Sequence, residues 1–228
     1  MPNPHAPRSI LSEALDLVLR PDTAWDALGR APLDLPRMWR HLMILGAIGP
    51  LALLMGTWLF NSDIIPIGQA LPLAAGSPMS SAVSAFVFPL DLPLRAPANA
   101  PGLLTAVKSA VALYAAQGAI VLLTAGLIWL LAPYCRGRRD GRAALAVVIY
   151  GSTPLLLSAI GLVRVSFTLL LAVGMLHSCV ITQRGVRRLL GAPGDEASML
   201  LGIIVMALYV LIPILAYLTT MAGVPLTG

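Results

Sequence analysis

The chain is poor in charged residues, because aspartate, glutamate, lysine and arginine make up only 11% of its 228 residues. Soluble globular proteins carry roughly 25% of such residues. Hydrophobic residues make up 58% of the chain and its mean hydropathy is +0.86. This composition excludes a typical soluble enzyme and an intrinsically disordered protein.

Residues that bind metals or form disulfides are also scarce. Two cysteines cannot build a disulfide scaffold, and no cysteine–histidine spacing fits a zinc site. The chain lacks a His-Glu-x-x-His motif, a phosphate-binding loop and a credible nucleophile with a base. We therefore predict no catalytic residue, no metal site and no cofactor, and we expect a protein that is not an enzyme.

Long apolar runs are abundant. A helix needs about 20 apolar residues to cross a hydrocarbon core of about 30 Å. Five stretches meet this length without any aspartate, glutamate, lysine or arginine: 41–60, 109–132, 143–163, 165–182 and 199–221. The sequence predicts an all-α membrane protein with a five-transmembrane-helix bundle in a membrane domain over residues 41–228. An intramembrane carboxylate would be the usual mark of a proton- or sodium-coupled carrier, and these spans contain none.

Basic residues are distributed unequally along the chain. There are 14 arginines and one lysine, and twelve of these 15 residues fall on one side if the predicted spans alternate. Because an excess of basic residues marks the cytoplasmic side, we predict a cytoplasmic N-terminus and an external C-terminus.

Residues 61–102 form a proline-rich external loop in this topology. Their seven prolines exclude a long helix. The one stretch suited to a helix, 79–88, has about half the length of a span. We expect it to lie in the membrane interface or to fold over the bundle.

Residues 1–40 are predicted to form a cytoplasmic segment with two short amphipathic helices. Ser9 is suited to cap the first helix, and Arg20-Pro21 ends it. The predicted partner-binding face comprises Leu11, Leu15, Val18 and Trp25. Two interpretations are open: an interfacial anchor or partner-binding helix, and a lid that packs on the end of its own bundle.

The third predicted span contains a proline near its middle. Pro154 lacks a backbone N–H and its ring clashes with the preceding turn. The predicted helix kink comprises Tyr150, Gly151 and Pro154. Such a kink acts as a hinge, lines a cavity or serves packing alone.

Ser152 and His177 are expected to lie at different depths in the membrane, which excludes a serine hydrolase built from this pair. The helical rise separates the two residues by roughly 6 Å along the bundle, whereas a nucleophile and its base must lie about 3 Å apart. We expect His177 to form an interhelical hydrogen bond with Tyr150 instead.

Basic residues near the ends of the spans are predicted to contact lipids or anions. Lys108 and Arg164 lie at the outer ends, where simple interfacial anchoring is the alternative. The cytoplasmic clusters attract anionic headgroups at about 1 kcal/mol per charge. They comprise Arg136, Arg138, Arg139, Arg184, Arg187 and Arg188. Aromatic residues are not interleaved with them as stacking platforms, so we expect no nucleic acid partner.

Two short segments carry a family resemblance. Residues 19–28 read Leu-Arg-Pro-Asp-Thr-Ala-Trp-Asp-Ala-Leu, and residues 149–154 read Ile-Tyr-Gly-Ser-Thr-Pro. They resemble, in order, the proline-plus-aromatic helix before span one and the Tyr/small/Pro element of the Yip family (Ypt-interacting proteins). The five-span layout and Arg184-Gly185 are similar to the family as well. The Asp-Leu-Tyr-Gly-Pro signature of eukaryotic members is absent, so binding of Rab-type GTPases is not carried over.

The resemblance implies a bacterial inner-membrane protein with a non-enzymatic function. We predict an integral membrane scaffold or adaptor that acts through membrane lipids and a membrane or cytoplasmic protein partner. The alternative is a transporter, channel or lipid scramblase with a path near the Pro154 kink. Pairs of small residues spaced for close helix approach are compatible with a homo-oligomer.

Overall fold

The computed structural model describes residues 9–58, 103–163 and 168–204, which are helical and contain no β-strand. Four apolar segments among these residues are long and apolar enough to cross a membrane. They are Leu35–Gly56, Leu113–Cys135, Gly141–Val163 and Leu169–Leu190. Four of the five predicted spans thus correspond to apolar helices, and most of the fifth, 199–221, lies outside the described residues.

The N-terminal segment forms two short helices, α1 (Ile10–Leu19) and α2 (Pro21–Arg30). Ser9 caps α1, as its side chain accepts a hydrogen bond from the backbone N–H of Ser12 at 3.2 Å. Arg20 separates the helices, and Pro21 opens α2, where its missing N–H costs nothing. Together α1 and α2 form a helical hairpin, which we call the N-terminal hairpin.

The first apolar segment consists of α3 (Leu35–Gly46) and α4 (Ile48–Trp58). It begins six residues before the predicted span. The helix is interrupted at Ala47 because Pro50 cannot donate to the carbonyl one turn back. This interruption was not predicted from the sequence.

The second apolar segment is α5 (Leu103–Leu131), which ends in a 3₁₀ turn over Ala132–Cys135. Arg136 then adopts a left-handed conformation with φ of 56°. α5 packs against α4. The predicted loop 61–102, with its expected helix at 79–88, lies outside the described residues.

The third apolar segment is divided into α6 (Gly141–Gly151), α7 (Thr153–Ser158) and a 3₁₀ turn over Ala159–Val163. Asp140 caps α6 through its Oδ1, which accepts from two backbone N–H groups. This segment is the centre of the bundle, since 72% of its apolar window is buried, compared with 22% for the second segment.

The fourth apolar segment is α8 (Thr168–Gly185), which continues as a π turn over Val186–Leu190. Gly191 ends it with φ of 72°, a left-handed conformation that favours glycine. Residues 194–204, α9, are helical up to the last described residue. Nine of the 14 arginines lie at the start of α3, between the end of α5 and the first turn of α6, and at the end of α8 with its π turn. We call this end of the bundle the arginine end.

Candidate functional site

Trp25 attaches the N-terminal hairpin to the bundle. Its side chain is fully buried, and the indole N–H donates to the Ile181 carbonyl at 3.1 Å. The ring lies on Gly185, where an added Cβ would come within 2.6 Å of the indole. It also meets Tyr150 edge to face, with ring centroids 6.5 Å apart. One aromatic side chain therefore joins α2 to both α6 and α8.

Ion pairs set the register of the hairpin. Asp22 pairs with Arg184 at 2.9 Å, and Asp26 pairs with Arg188 at 3.0 Å. The second pair lies four residues after the first on both elements, from Asp22 to Asp26 and from Arg184 to Arg188. The helix α2 therefore runs parallel to the end of α8. Because these side chains are partly exposed, each pair contributes about 0–1 kcal/mol. They orient the hairpin more than they stabilise it.

A third ion pair connects α1 to α3. Glu13 Oε1 lies 3.1 Å from Arg37 Nη2, and the glutamate side chain is nearly buried. Ala14 and Leu17 on the neighbouring positions are fully buried. One face of α1 is therefore packed inside the protein.

A buried centre lies beneath the hairpin and consists of His41, Tyr150 and Thr153. The His41 Nε2 and the Thr153 hydroxyl oxygen lie 3.0 Å apart, and the rings of His41 and Tyr150 have centroids 4.8 Å apart. His41 Nδ1 is buried without a hydrogen-bond partner among the described residues. The centre therefore holds a histidine whose hydrogen bonding depends on one threonine.

Of the predicted kink residues, Tyr150 belongs to this centre, and Gly151 and Pro154 adjoin it along the chain. The helix is interrupted at Ser152, between Tyr150 and Pro154. Gly151 lies so close to Thr182 of α8 that an added Cβ would collide with the threonine side chain. The Ser178 hydroxyl accepts a hydrogen bond from the backbone N–H of Leu155 at 3.0 Å. A side chain of α8 thus binds a backbone group that the interruption leaves without a helical partner.

His177 does not bind Tyr150 as predicted but contacts a residue of the N-terminal hairpin. His177 Nε2 lies 3.1 Å from the Val18 carbonyl oxygen of α1. Tyr150 faces Trp25 and His41 instead. The prediction rested on the similar depths of the two residues in their spans, whereas α1 contacts His177 and α2 contacts Tyr150.

The predicted partner-binding face is divided in the structure. Leu11 and Leu15 are exposed, Val18 is half-buried and Trp25 is fully buried. Leu19, which the prediction omitted from the face, is also exposed. The exposed stripe of α1 therefore consists of Leu11, Leu15 and Leu19, and Trp25 belongs to the interior because it packs on Gly185.

Most of the arginines predicted to contact lipids make contacts within the chain. Arg184 and Arg188 pair with the acids of α2, and Arg136 pairs with Glu196 at 3.2 Å. Arg138 donates to the Leu189 carbonyl. The Arg139 guanidinium lies 4.2 Å from the centroid of the Trp129 ring, and Arg187 is exposed. The side chains of Lys108 and Arg164 lie outside the described part of the structure.

Three residues of this region were missed by sequence reasoning. His41, Thr153 and Gln117 were not among the predicted site residues. Gln117 Oε1 is buried without a partner among the described residues, and its amide lies beside Gly46 and Gly49. A histidine inside an apolar run was the one signal that pointed to His41.

No group of three or more potential metal ligands occurs among the described residues. Comparison of the chain with protein-family models, curated proteins and solved structures finds no match. The resemblance to the Yip family therefore stays a prediction.

Thr153→Val is expected to lower the free energy of unfolding by about 1–3 kcal/mol, because His41 would then lose the hydrogen bond at Nε2. Unfolding in detergent micelles measures this change. His41→Leu combined with Thr153→Val should recover part of the loss, since removing both partners leaves no buried polar atom unpaired. Equal stability of the single and double variants would contradict the assignment.

Proposed function

We propose that the chain is an integral membrane adaptor of the Yip-like type, with a non-enzymatic function and a cytoplasmic N-terminus. It acts through a protein partner and through anionic lipids of the inner membrane. The outward side of α2, which the N-terminal hairpin holds at the arginine end of the bundle, is the surface that the partner recognises.

The observation that carries this proposal is the attachment of the hairpin through Trp25. A buried indole, a hydrogen bond to Ile181 and two ion pairs fix α2 in one orientation. A surface that is ordered before binding does not lose conformational entropy when a partner arrives. The hairpin is thus suited to presenting side chains to another molecule.

The outward side of α2 supplies side chains for such a contact. Thr23, Ala27 and Arg30 are exposed on a helix that is otherwise anchored by Trp25. Small and polar residues of this kind suit a contact made in water, whereas a face that packs on lipid is apolar.

The packing of the third apolar segment supports a scaffold. Residues 143–151 of α6 are buried except for the half-buried Leu145. The buried side chains before Tyr150 of the buried centre are alanine, valine and isoleucine. A helix that is apolar and enclosed on all sides is typical of a structural core.

The arginine distribution supports the orientation and the lipid contacts. Arg187 and Arg139 are exposed at the arginine end, and a cytoplasmic leaflet attracts such residues at about 1 kcal/mol each. The exposed rings of Trp129 and Tyr134 lie at the same end, as is typical of membrane interfaces.

The test is photo-crosslinking in living cells. A photoreactive amino acid at Ala27 should form a discrete protein adduct, because this position faces outward from the anchored α2. The same amino acid at Val173, which is exposed on α8 in mid-segment, is the control and should form no such adduct. Identical adduct patterns at the two positions, or none at Ala27, would overturn the adaptor proposal.

A further inference from the structure

The leucine stripe of α1, formed by Leu11, Leu15 and Leu19, is exposed although the rest of α1 is packed against the bundle. These side chains are 59%, 46% and 73% exposed. They recur every four residues, so they form one row along the helix. What covers this row follows from the position of α1 relative to α8.

The C-terminal end of α1 contacts α8 well below the arginine end. The Val18 carbonyl lies 3.1 Å from His177 Nε2, and His177 precedes Arg184 by seven residues. At about 1.5 Å per residue, Val18 lies roughly 10 Å beyond the Asp22–Arg184 ion pair, toward the middle of the apolar segment. Half of a hydrocarbon core is about 15 Å thick.

The N-terminal half of α1 lies at the level of charged residues. Glu13 pairs with Arg37 in the first turn of α3. The helix therefore descends from a charged level at Glu13 to an apolar level at Val18. After Arg20 the chain turns, and α2 returns along α8 through Arg184 and then Arg188.

The surface of α8 next to this contact is apolar and exposed. Leu176 precedes His177 and is 65% exposed. Val173, three residues before Leu176, and Val180, four residues after it, are exposed as well. Residues three and four apart lie on the same helix face. The leucine stripe thus continues an apolar face of a segment long enough to cross a membrane.

We propose that α1 is embedded in the leaflet on the arginine side and that lipid acyl chains cover Leu11, Leu15 and Leu19. Amphipathic helices at membrane interfaces bury their apolar face about 5–10 Å deep in this zone. The one cation at the descending end, Arg20, is exposed, and its aliphatic stem allows the guanidinium to reach the headgroups. This surface differs from the outward side of α2, so the inference does not rest on the proposed adaptor function.

Site-directed spin labelling in lipid vesicles tests the inference. The full chain with Cys135→Ala and Cys179→Ala carries one nitroxide at Leu11→Cys, Leu15→Cys or Leu19→Cys. Collision rates with oxygen, which concentrates in acyl chains, and with a water-soluble nickel complex give the depth of each label. The references are Leu176→Cys for the hydrocarbon and Ala27→Cys for the aqueous side.

The expected ratio of oxygen to nickel collisions rises from Leu11 through Leu15 to Leu19 and approaches the value at Leu176. Because all three leucines are exposed, their replacement leaves the packing intact, and gel filtration of each labelled variant verifies this. Ratios equal to that at Ala27 would overturn the inference and assign the stripe to water and to a soluble protein partner. Equal ratios at all three leucines would contradict the descent of α1.

Discussion

Trp25→Ala is expected to detach the N-terminal hairpin and to lower the free energy of unfolding by about 3–5 kcal/mol, the usual cost of truncating a buried tryptophan. The indole fills the space on Gly185 and contacts Tyr150, and its N–H satisfies the Ile181 carbonyl. The exposed ion pairs cannot compensate, since they contribute about 0–1 kcal/mol each. Unfolding in detergent and the rate of trypsin cleavage after Arg30 measure the two effects.

Two variants make this result specific. Trp129→Ala removes the same side chain from a position that is 40% exposed and stacked on Arg139, and it should cost about 1 kcal/mol or less. Trp25→Phe retains most of the ring volume but loses the N–H donor, so its stability should fall between those of the wild type and Trp25→Ala. Equal losses for Trp25→Ala and Trp129→Ala would contradict the role of Trp25 as the anchor.

The apolar length of each segment was readable from the sequence, but its start was not. The prediction placed the first span at 41–60 because Arg37 and Arg40 interrupt the apolar run. The helix nevertheless begins at Leu35, since Pro36 suits a first turn and Arg37 is paired with Glu13. Because Arg37 is paired with Glu13, its charge does not end the helix. The sequence of the span could not show this, since Glu13 lies on α1.

The two mid-segment prolines obey one local rule, which was applied to Pro154 only in the prediction from the sequence. The helix is interrupted at Ser152 before Pro154 and at Ala47 before Pro50, and in both cases the proline lacks the N–H that would bind the carbonyl one turn back. The contacts of the candidate site were less accessible, because they join distant residues. Trp25 and Ile181 are 156 residues apart in the sequence, and His41 and Thr153 are 112 residues apart. At such separations no periodic pattern in the sequence indicates which two residues are in contact.

Gly174→Ala is expected to force α7 and α8 apart and to destabilise the bundle by about 1–3 kcal/mol, the usual cost of overpacking. An added Cβ would collide with the Ser158 side chain and would lie 2.9 Å from the Pro154 carbonyl oxygen. The serine can rotate, but the carbonyl belongs to the backbone of α7 and cannot move independently. The higher helix propensity of alanine offsets about 1 kcal/mol at most. Unfolding in detergent micelles measures the net change.

Gly126→Ala is the matched control, because Gly126 lies in α5 where an added Cβ meets no atom within 4 Å. This variant should be neutral or more stable by up to about 1 kcal/mol. Adding Ser158→Ala to Gly174→Ala removes the hydroxyl but not the carbonyl, so it should restore only part of the stability. Full restoration would mean that the serine alone limits the approach of the two helices. No loss in Gly174→Ala would mean that α7 and α8 lie farther apart than the glycine contact requires.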